Sequence, residues 1–201
     1  MGPRCAGGTL RRMRVDTEFE PLVTPRLELR RSRPEDAPTI SGYRSDPEVH
    51  RHQGWDRTDE EGVRLEIEEM AGRSPGELGG WVQFSAIDRE DGELVGDVGL
   101  SPAEEEPGVM KAGYTISPAF QGKGYATEAV AALMDYAFDV LDAEIVRIYA
   151  NGANAASIRV AEKVGMRLIE RIDRGRGRFA VRYELSRGGR AFRHASDPTD
   201  T

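Results

Sequence analysis

A glycine-containing loop between an apolar strand and an amphipathic helix constrains this chain more than any other feature. The strand ends near Ile116, and the loop Gln121-Gly122-Lys123-Gly124 leads directly into the helix. Apolar residues then recur at helical spacing, which predicts one buried helix face: Ala126, Ala129, Val130, Leu133, Ala137, Phe138 and Leu141. The helix start leaves backbone N–H groups without partners, and the glycines allow a ligand to approach closely. The sequence therefore predicts an anion site suited to a phosphate or pyrophosphate.

Two other nucleotide-binding loops fit this pattern less well. A P-loop nucleotidase is excluded because no Ser or Thr follows Lys123 and the long spacing between glycines is absent. A dinucleotide-binding fold is the nearer alternative, since Gly122 and Gly124 precede a helix and Asp142 follows about 20 residues later. However, that motif needs Gly or Ala where this chain has Thr127, and little chain follows for a full parallel sheet.

The loop resembles the cofactor loop of the GNAT superfamily of N-acetyltransferases, which reads Gln/Arg-x-x-Gly-x-Gly/Ala. Gln121, Gly124 and Ala126 match it, directly after the strand-to-proline junction at 116–118. A second block, at 154–166, is similar to the family's Asn-x-x-Ser/Ala-x-x-x-x-Glu-Lys-x-Gly-Phe helix. The two blocks occur in the family's order, separated by a helix and a strand.

Details of both blocks resemble the branch that includes ribosomal-protein and aminoglycoside-like acetyltransferases. They are Ser157 in the second block and the run Gly-Lys-Gly-Tyr-Ala-Thr-Glu-Ala in the first. The resemblance covers about Leu22 to Leu185. It implies an α/β (α+β) fold, with a mixed, mostly antiparallel central sheet of about seven strands flanked by helices. We expect the N-acetyltransferase domain at 21–187, between flexible tails at 1–20 and 188–201.

Alternation and turn signals predict the individual elements. The predicted strands are, in chain order, 26–30, 79–88, 93–100, 110–116, 145–150, 166–172 and 178–185. A short helix is expected from Arg33, and another from a Thr58-x-x-Glu61 capping box to about Met70. Strands and helices therefore interleave throughout the chain.

Composition agrees with one soluble, cytoplasmic domain. The 201 residues are 38% hydrophobic and 31% charged, and no apolar run is long enough to cross a membrane. The formal net charge of −7 argues against nonspecific nucleic-acid binding and suits a cationic amine. Cys5 is the single cysteine, so no disulfide framework is expected, and no apolar segment typical of secretion follows the N-terminal arginines.

The resemblance implies acetyl transfer from acetyl-CoA to an amine by direct attack through a tetrahedral intermediate. Backbone N–H groups would hold the pyrophosphate of coenzyme A, and the pantetheine arm would pair with the strand ending at Ile116. By resemblance, the cofactor-binding residues are Ile116, Gln121, Gly122, Lys123, Gly124, Tyr125, Ala126, Thr127, Asn154 and Ser157.

Three further roles follow from the resemblance. A backbone N–H near Tyr114 would meet the thioester carbonyl. Asn154 would bond the pantetheine amides and also suits the N-cap of the following helix. Ser157 would lie near the sulfur as a proton donor, although a small residue there also suits simple packing against the sheet.

The chain departs from the commonest family pattern at two catalytic positions. Ala161 replaces a Tyr that acts as general acid in many relatives, and Lys111 replaces a Glu that serves them as base. A water chain or a carboxylate elsewhere is then needed to deprotonate the amine. Asp97, inside an apolar strand, is the best candidate for a base or an ammonium contact. An Asp paired with an Arg, or one on a solvent-facing edge, is the alternative. Glu128 in the first turn of the long helix suits the helix dipole.

Other prominent residues carry weaker signals. His50 and His52 lack further ligands at useful spacing, so no metal is expected. Trp55 and Trp81 suit the core or the rim of a site. The acceptor stays open among a protein N-terminus, an aminoglycoside or polyamine, and a small metabolite amine. A homodimer is compatible with the sequence, and a coenzyme-A-binding module without catalysis is the alternative function.

Overall fold

An open sheet forms the centre of the molecule, which a computed structural model describes for residues 13–190. The strands are β1 (Leu22–Val23), β2 (Leu27–Arg31), β3 (Val82–Asp88), β4 (Leu94–Pro102), β5 (Val109–Ile116), β6 (Ile145–Asn151), β7 (Arg167–Asp173) and β8 (Phe179–Ser186). Their order is β1-β2-β3-β4-β5-β6-β8-β7, and every neighbouring pair is antiparallel except β5 and β6. The predicted mixed sheet is confirmed, with eight strands because the short β1 is added.

Among residues 13–186, five α-helices flank the sheet. They are α1 (Ala37–Arg44), α2 (Pro47–His50), α3 (Glu60–Ala71), α4 (Tyr125–Asp139) and α5 (Ala155–Lys163). The predicted cap of α3 is wrong by one residue, because the Asp59 carboxylate accepts the Gly62 N–H at 2.7 Å. The carbonyl of Thr58 instead accepts a hydrogen bond from Ser45.

The main core lies between α4 and one face of the sheet. The predicted apolar stripe of α4 is confirmed, since its positions from Ala129 to Leu141 are buried and Ala126 is half-buried. The stripe packs against sheet residues such as Phe84 and Leu100. A smaller cluster on the other side of the structure contains Ala37, Ile40, Tyr43, Val63 and Ile67, from α1 and α3.

Residues 13–20, expected to belong to a flexible tail, make specific contacts with the domain. The Arg14 N–H donates to the Leu141 carbonyl at 2.8 Å, and the Tyr136 hydroxyl donates to Asp16 at 2.6 Å. The ring of Phe19 lies 4.8 Å from that of Phe84, centroid to centroid. Residues 1–12, including Cys5, and residues 191–201 lie outside the described part. Between residues 13 and 190, no helix has the length and apolar character needed to span a bilayer.

The pairing of β4 with β5 predicts a measurable intolerance at Gly96. A Cβ added there would lie 2.2 Å from the Thr115 carbonyl oxygen, which is backbone and cannot rotate away. We expect Gly96→Ala to lower the free energy of unfolding by about 1–3 kcal/mol. Gly42→Ala in α1 is the control, because a Cβ at Gly42 meets no atom within 4 Å. Urea unfolding measures both, and equal stabilities would contradict the observed packing.

Candidate functional site

A gap opens between β5 and β6 in the middle of the sheet. The two strands pair in register from Val109 with Ile145 to Ala112 with Ile148. Beyond Ala112, β5 continues to Ile116 with β4 as its only partner among the described strands. The sheet therefore splits along one edge of β5, starting at Gly113.

Backbone groups of β5 face this gap. At one end of the β4–β5 ladder the Val109 carbonyl accepts a hydrogen bond from the Ala103 N–H. At the other end the Ser117 N–H donates to the Val95 carbonyl. Because antiparallel ladders alternate, the odd-numbered residues of β5 bond β4 and the even-numbered residues turn away from it. The N–H and C=O of Tyr114 therefore face the gap.

The loop at 121–124 leads into α4 beside the end of β5. Gly122 and Gly124 have positive φ values of 77° and 88°, a backbone conformation that favours glycine. Within residues 13–190, no hydrogen-bond acceptor is found for the backbone N–H groups of 122–127. These donors lie at the positive end of α4, so the geometry suits an anion.

Arg26 and Glu128 fix the position of this loop through hydrogen bonds to its backbone and to the first turn of α4. The Arg26 guanidinium donates to the Lys123 carbonyl at 2.9 Å and to the Glu128 carboxylate at 2.6 Å. The other carboxylate oxygen accepts from the Arg26 N–H and from the Thr24 hydroxyl. Burial raises the pKa of Glu128, but these hydrogen bonds outweigh it and hold the pKa below its usual value. Glu128 thus does more than meet the helix dipole.

A second support comes from Asp88 at the end of β3. Its carboxylate accepts a short hydrogen bond from the Tyr125 hydroxyl, in the first turn of α4. The Arg26 guanidinium also lies 4.6 Å from the centroid of the Tyr125 ring. Arg26 and Asp88 give no signal of this role in the sequence, because each lies far from the loop along the chain and neither belongs to a motif.

The side chains of Gln121 and Lys123 have different positions. The Gln121 amide donates to the Ile116 carbonyl at 2.9 Å and so ties the loop to the end of β5. The Lys123 ammonium lies 5.0 Å from the centroid of the Phe120 ring. Lys123 is exposed, so its charge lies at the surface of the loop.

Tyr114 and Ser157 form a pair between β5 and α5. The Tyr114 hydroxyl lies 3.0 Å from Ser157 Oγ. Burial raises the pKa of the Tyr114 phenol, and the bond to Ser157 offsets this only in part. Tyr114 therefore keeps its proton at neutral pH. Ala161, where many relatives carry a Tyr, is buried.

Asn154 caps α5. Its side-chain oxygen accepts the Ser157 N–H at 3.0 Å, which is the N-cap arrangement expected from the sequence. This bond fixes the start of the helix that carries Ser157. The half-buried side chain lies on the strand-to-helix connection after β6.

Asp97 is buried in a polar network on the sheet. Its carboxylate accepts a short bond from the Tyr43 hydroxyl and a 2.9 Å bond from Gln83, and Arg44 lies 3.8 Å away. Burial raises the pKa of Asp97, against the opposing charge of Arg44. Arg44 is also bound by Glu66 at 2.8 Å. An Asp paired with an Arg, the alternative weighed from the sequence, describes this arrangement.

The segment with His50 and His52 lies near the face of the sheet that carries the Asp97 network. The neighbouring Gln53 amide donates to the Thr115 hydroxyl of β5 at 3.3 Å. Trp55 stacks on the Arg44 guanidinium, 4.7 Å from the ring centroid. Across residues 13–190, no group of three or more His, Cys, Asp or Glu side chains is arranged to hold a metal ion.

Comparison with known proteins gives a consistent result. A family model of the acetyltransferase (GNAT) domain matches residues 26–167, more than half of the chain. A GNAT-family acetyltransferase from Bacillus anthracis has a similar structure, with a TM-score of 0.72 and 24% identity. The match covers 83% of this chain and 98% of that one. No match was found among curated proteins.

Two further structures share the fold at lower identity. One is RimL, a ribosomal L7/L12 α-N-protein acetyltransferase in complex with coenzyme A, at 18% identity and a TM-score of 0.72. The match covers 83% of this chain and 98% of the RimL chain. The other is a ribosomal-protein-S5-alanine acetyltransferase from Vibrio fischeri, at 18% identity and a TM-score of 0.68, covering 84% and 97%.

The Glu128 cluster predicts a pH-dependent stability. Because its carboxyl has a lowered pKa in the folded state, ionised Glu128 stabilises the fold above about pH 4.3, the usual unfolded value. This stabilisation is lost as pH falls through the lower folded pKa. We expect Glu128→Gln to cost about 1–3 kcal/mol at pH 7, and the cost to shrink at pH 3.

Urea unfolding at the two pH values measures this difference. Glu61→Gln, at an exposed position in the first turn of α3, is the control and should change stability little at either pH. A Glu128→Gln cost that is the same at pH 7 and pH 3 would contradict the role of the ionised carboxylate.

Proposed function

Because this chain belongs to the GNAT family of acetyltransferases, we propose that it transfers an acetyl group from acetyl-CoA to an amine. The observation that carries this proposal is the open edge of β5 beside the unpaired N–H groups of 122–127. A chain of amides can pair with such an edge as an added strand, and a pyrophosphate suits such a loop. Acetyl-CoA has both parts and supplies the acetyl group as a thioester.

This geometry supports the following binding roles. The N–H groups from Gly122 to Thr127 hold the pyrophosphate, with Lys123 adding a positive charge at the surface. Gln121 keeps the loop joined to Ile116, and the Tyr114 N–H and C=O pair with the pantetheine amides or the thioester carbonyl. Asn154 keeps α5 in place and has its amide N–H₂ left to bind an amide oxygen.

We assign proton donation to Ser157 and Tyr114 together. Ser157 Oγ gives its proton to the departing sulfur and takes one from the Tyr114 hydroxyl, 3.0 Å away, while the proton that the acceptor amine releases through water restores Tyr114. The raised pKa of Tyr114 keeps the phenol protonated at neutral pH before transfer and favours its return to that state afterwards. This pair takes the place of the Tyr that many relatives carry where this chain has Ala161.

Asp97 is not well suited to act as a direct base. Its carboxylate already interacts with Tyr43, Gln83 and Arg44. We propose that the acceptor amine loses its proton through water, and that Asp97 positions the polar network on the acceptor side.

We propose a protein N-terminus as the acceptor, in the cytoplasm. The support is the likeness to two structures named as ribosomal-protein acetyltransferases. Aminoglycosides, polyamines and small metabolite amines are the other members of the class to be compared.

The pyrophosphate loop can be tested with a matched pair of variants. Gly122 and Gly92 both have φ of +77°, and a Cβ at either meets no atom within 4 Å. Both substitutions by Glu therefore carry the same backbone strain. We expect Gly122→Glu to weaken acetyl-CoA binding at least tenfold because it brings a carboxylate to the anion site, and Gly92→Glu to leave it unchanged. Calorimetry measures both affinities, and equal affinities would remove the loop from the site.

Thiol release from acetyl-CoA with a panel of amines tests the reaction. The panel contains short peptides with free N-termini, an aminoglycoside, a polyamine and single amino acids. We expect release with peptides. Ser157→Ala and Tyr114→Phe should each lower kcat by tenfold or more with little change in acetyl-CoA affinity, since each removes one proton carrier.

The double variant Ser157→Ala with Tyr114→Phe tests whether the two side chains act in one proton relay or independently. If Ser157 and Tyr114 act in one relay, the double variant is about as slow as the slower single variant. Independent losses would contradict the relay. Tight acetyl-CoA binding without release for any amine would favour the binding module without catalysis.

A further inference from the structure

Trp81 lies flat across β4 and β5 at a pair of glycines. Gly99 and Gly113 are register partners. A Cβ at Gly99 would be 3.2 Å from Cε3 of the Trp81 ring, and a Cβ at Gly113 would be 3.5 Å from Cη2. The two missing side chains therefore leave room for the indole, which is 38% exposed.

This ring lies where the sheet opens. Gly113 is the first residue of β5 that has no partner in β6. The side chain of Tyr114, the next residue, points to the opposite face, toward Ser157. Trp81 therefore lies beside the start of the gap, on the face opposite the Tyr114–Ser157 pair.

A second exposed aromatic residue lies on the same face of β6. Tyr149 follows Ile148, the last β6 residue that pairs with β5, and its side chain is 45% exposed. Ile148 and Ala150 belong to the main core, so alternation turns Tyr149 to the other face of the sheet, the face of Trp81. Exposed aromatic side chains thus lie on both sides of the gap, Trp81 over β4 and β5 and Tyr149 on β6.

One cation, Lys111, lies beside the Trp81 ring without a carboxylate partner among the described residues. The Lys111 ammonium lies 5.9 Å from the centroid of the Trp81 ring. Its register partner Arg147 is matched by Glu106 at 2.8 Å and by Glu184 at 2.7 Å. For Lys111, no carboxylate lies within ion-pair distance in the part of the chain that the structure describes. The ammonium is therefore left to meet an anion from a ligand.

We propose that Trp81 and Tyr149 form the binding wall for the acceptor, and that Lys111 selects an acidic group on it. The acceptor class is a peptide N-terminus with a bulky apolar first residue followed by acidic residues. The apolar side chain stacks on the indole, and the carboxylate meets Lys111. A polycation is repelled by Lys111, and the nearby carboxylates of Glu106 and Glu184 are already paired with Arg147. This inference rests on the proposed function, because it takes the gap as the place of acetyl transfer.

Three hexapeptides test the wall: Phe-Glu-Glu-Ala-Gly-Ala, Gly-Glu-Glu-Ala-Gly-Ala and Phe-Lys-Lys-Ala-Gly-Ala. We expect the first to have the highest kcat/KM in thiol release, at least tenfold above either other peptide. Trp81→Ala should raise the KM for the first peptide at least tenfold and leave acetyl-CoA affinity unchanged. Lys111→Glu should reverse the preference between the Glu and Lys peptides.

Controls separate the wall from general damage. Val140→Ala removes an exposed apolar side chain at the end of α4 and should keep the peptide preference. Trp81→Phe retains an aromatic surface and should fall between the wild type and Trp81→Ala, and thermal melts confirm that each variant folds. A preference that survives Trp81→Ala, or equal use of all three peptides, would overturn the proposal.

A binding measurement separates this proposal from the proposed function. In the Trp55→Phe variant, Trp81 is the single tryptophan, and its fluorescence should change when the first peptide is added without acetyl-CoA. Failure of acetyl-CoA to bind in calorimetry would defeat the proposed function, whereas the fluorescence titration still reports on the wall. No change in fluorescence and no acetylation with any of the peptides would overturn the wall.

Discussion

The end of β5–β6 pairing at Ala112 is the constraint on which the rest of the site depends. A sheet normally satisfies the backbone groups of a central strand on both sides. Here β5 keeps β4 along one side while the other side opens beyond Ala112, so amides are exposed in the middle of the fold rather than at its rim. The same opening lets α4 begin beside the strand and present its unpaired N–H groups to the same space. One interruption of pairing thus brings together an unpaired strand edge and a loop of unpaired N–H groups, the two features on which the proposed function rests.

The loop at 121–124 keeps its conformation because the charged side chains of Arg26 and Glu128 bind it and the helix that follows. A loop with two positive-φ glycines and several unpaired N–H donors is costly to order, so contacts with the rest of the fold are needed to hold its conformation. Arg26 supplies one by binding the Lys123 carbonyl, and Glu128 fixes Arg26 in turn. Thr24 orients the same carboxylate. These contacts use the Lys123 carbonyl and the Glu128 carboxylate, so they fix the loop while its N–H groups stay available for the proposed anion.

Sequence patterns predicted the parts of this molecule that local chemistry determines. The α4 stripe and the Asn154 cap follow from spacing and capping chemistry over short stretches, whereas the mixed sheet was expected from the resemblance to the GNAT superfamily. The cap of α3 was displaced by one residue because Thr58 and Asp59 are both good caps, and only the folded geometry selects between them. The contacts of residues 13–20 were missed because a single aromatic, Phe19, gives no periodic signal. The Arg26–Glu128 and Tyr114–Ser157 pairs join residues distant in sequence, which no pattern along one chain shows.

The buried network around Asp97 explains why an acidic residue stands inside an apolar strand. A buried carboxylate is tolerated when its oxygens are bonded, and Tyr43, Gln83 and Arg44 provide those contacts. The same contacts tie α1 to the face of the sheet on which Trp81 lies, because Tyr43 and Arg44 belong to α1. Asp97 therefore fixes α1 on this face of the sheet, the face that we propose for the acceptor. The proposed chemistry on one face and the proposed recognition on the other both depend on strand β5, because the Tyr114 side chain lies on one face and Gly113 leaves room for Trp81 on the other.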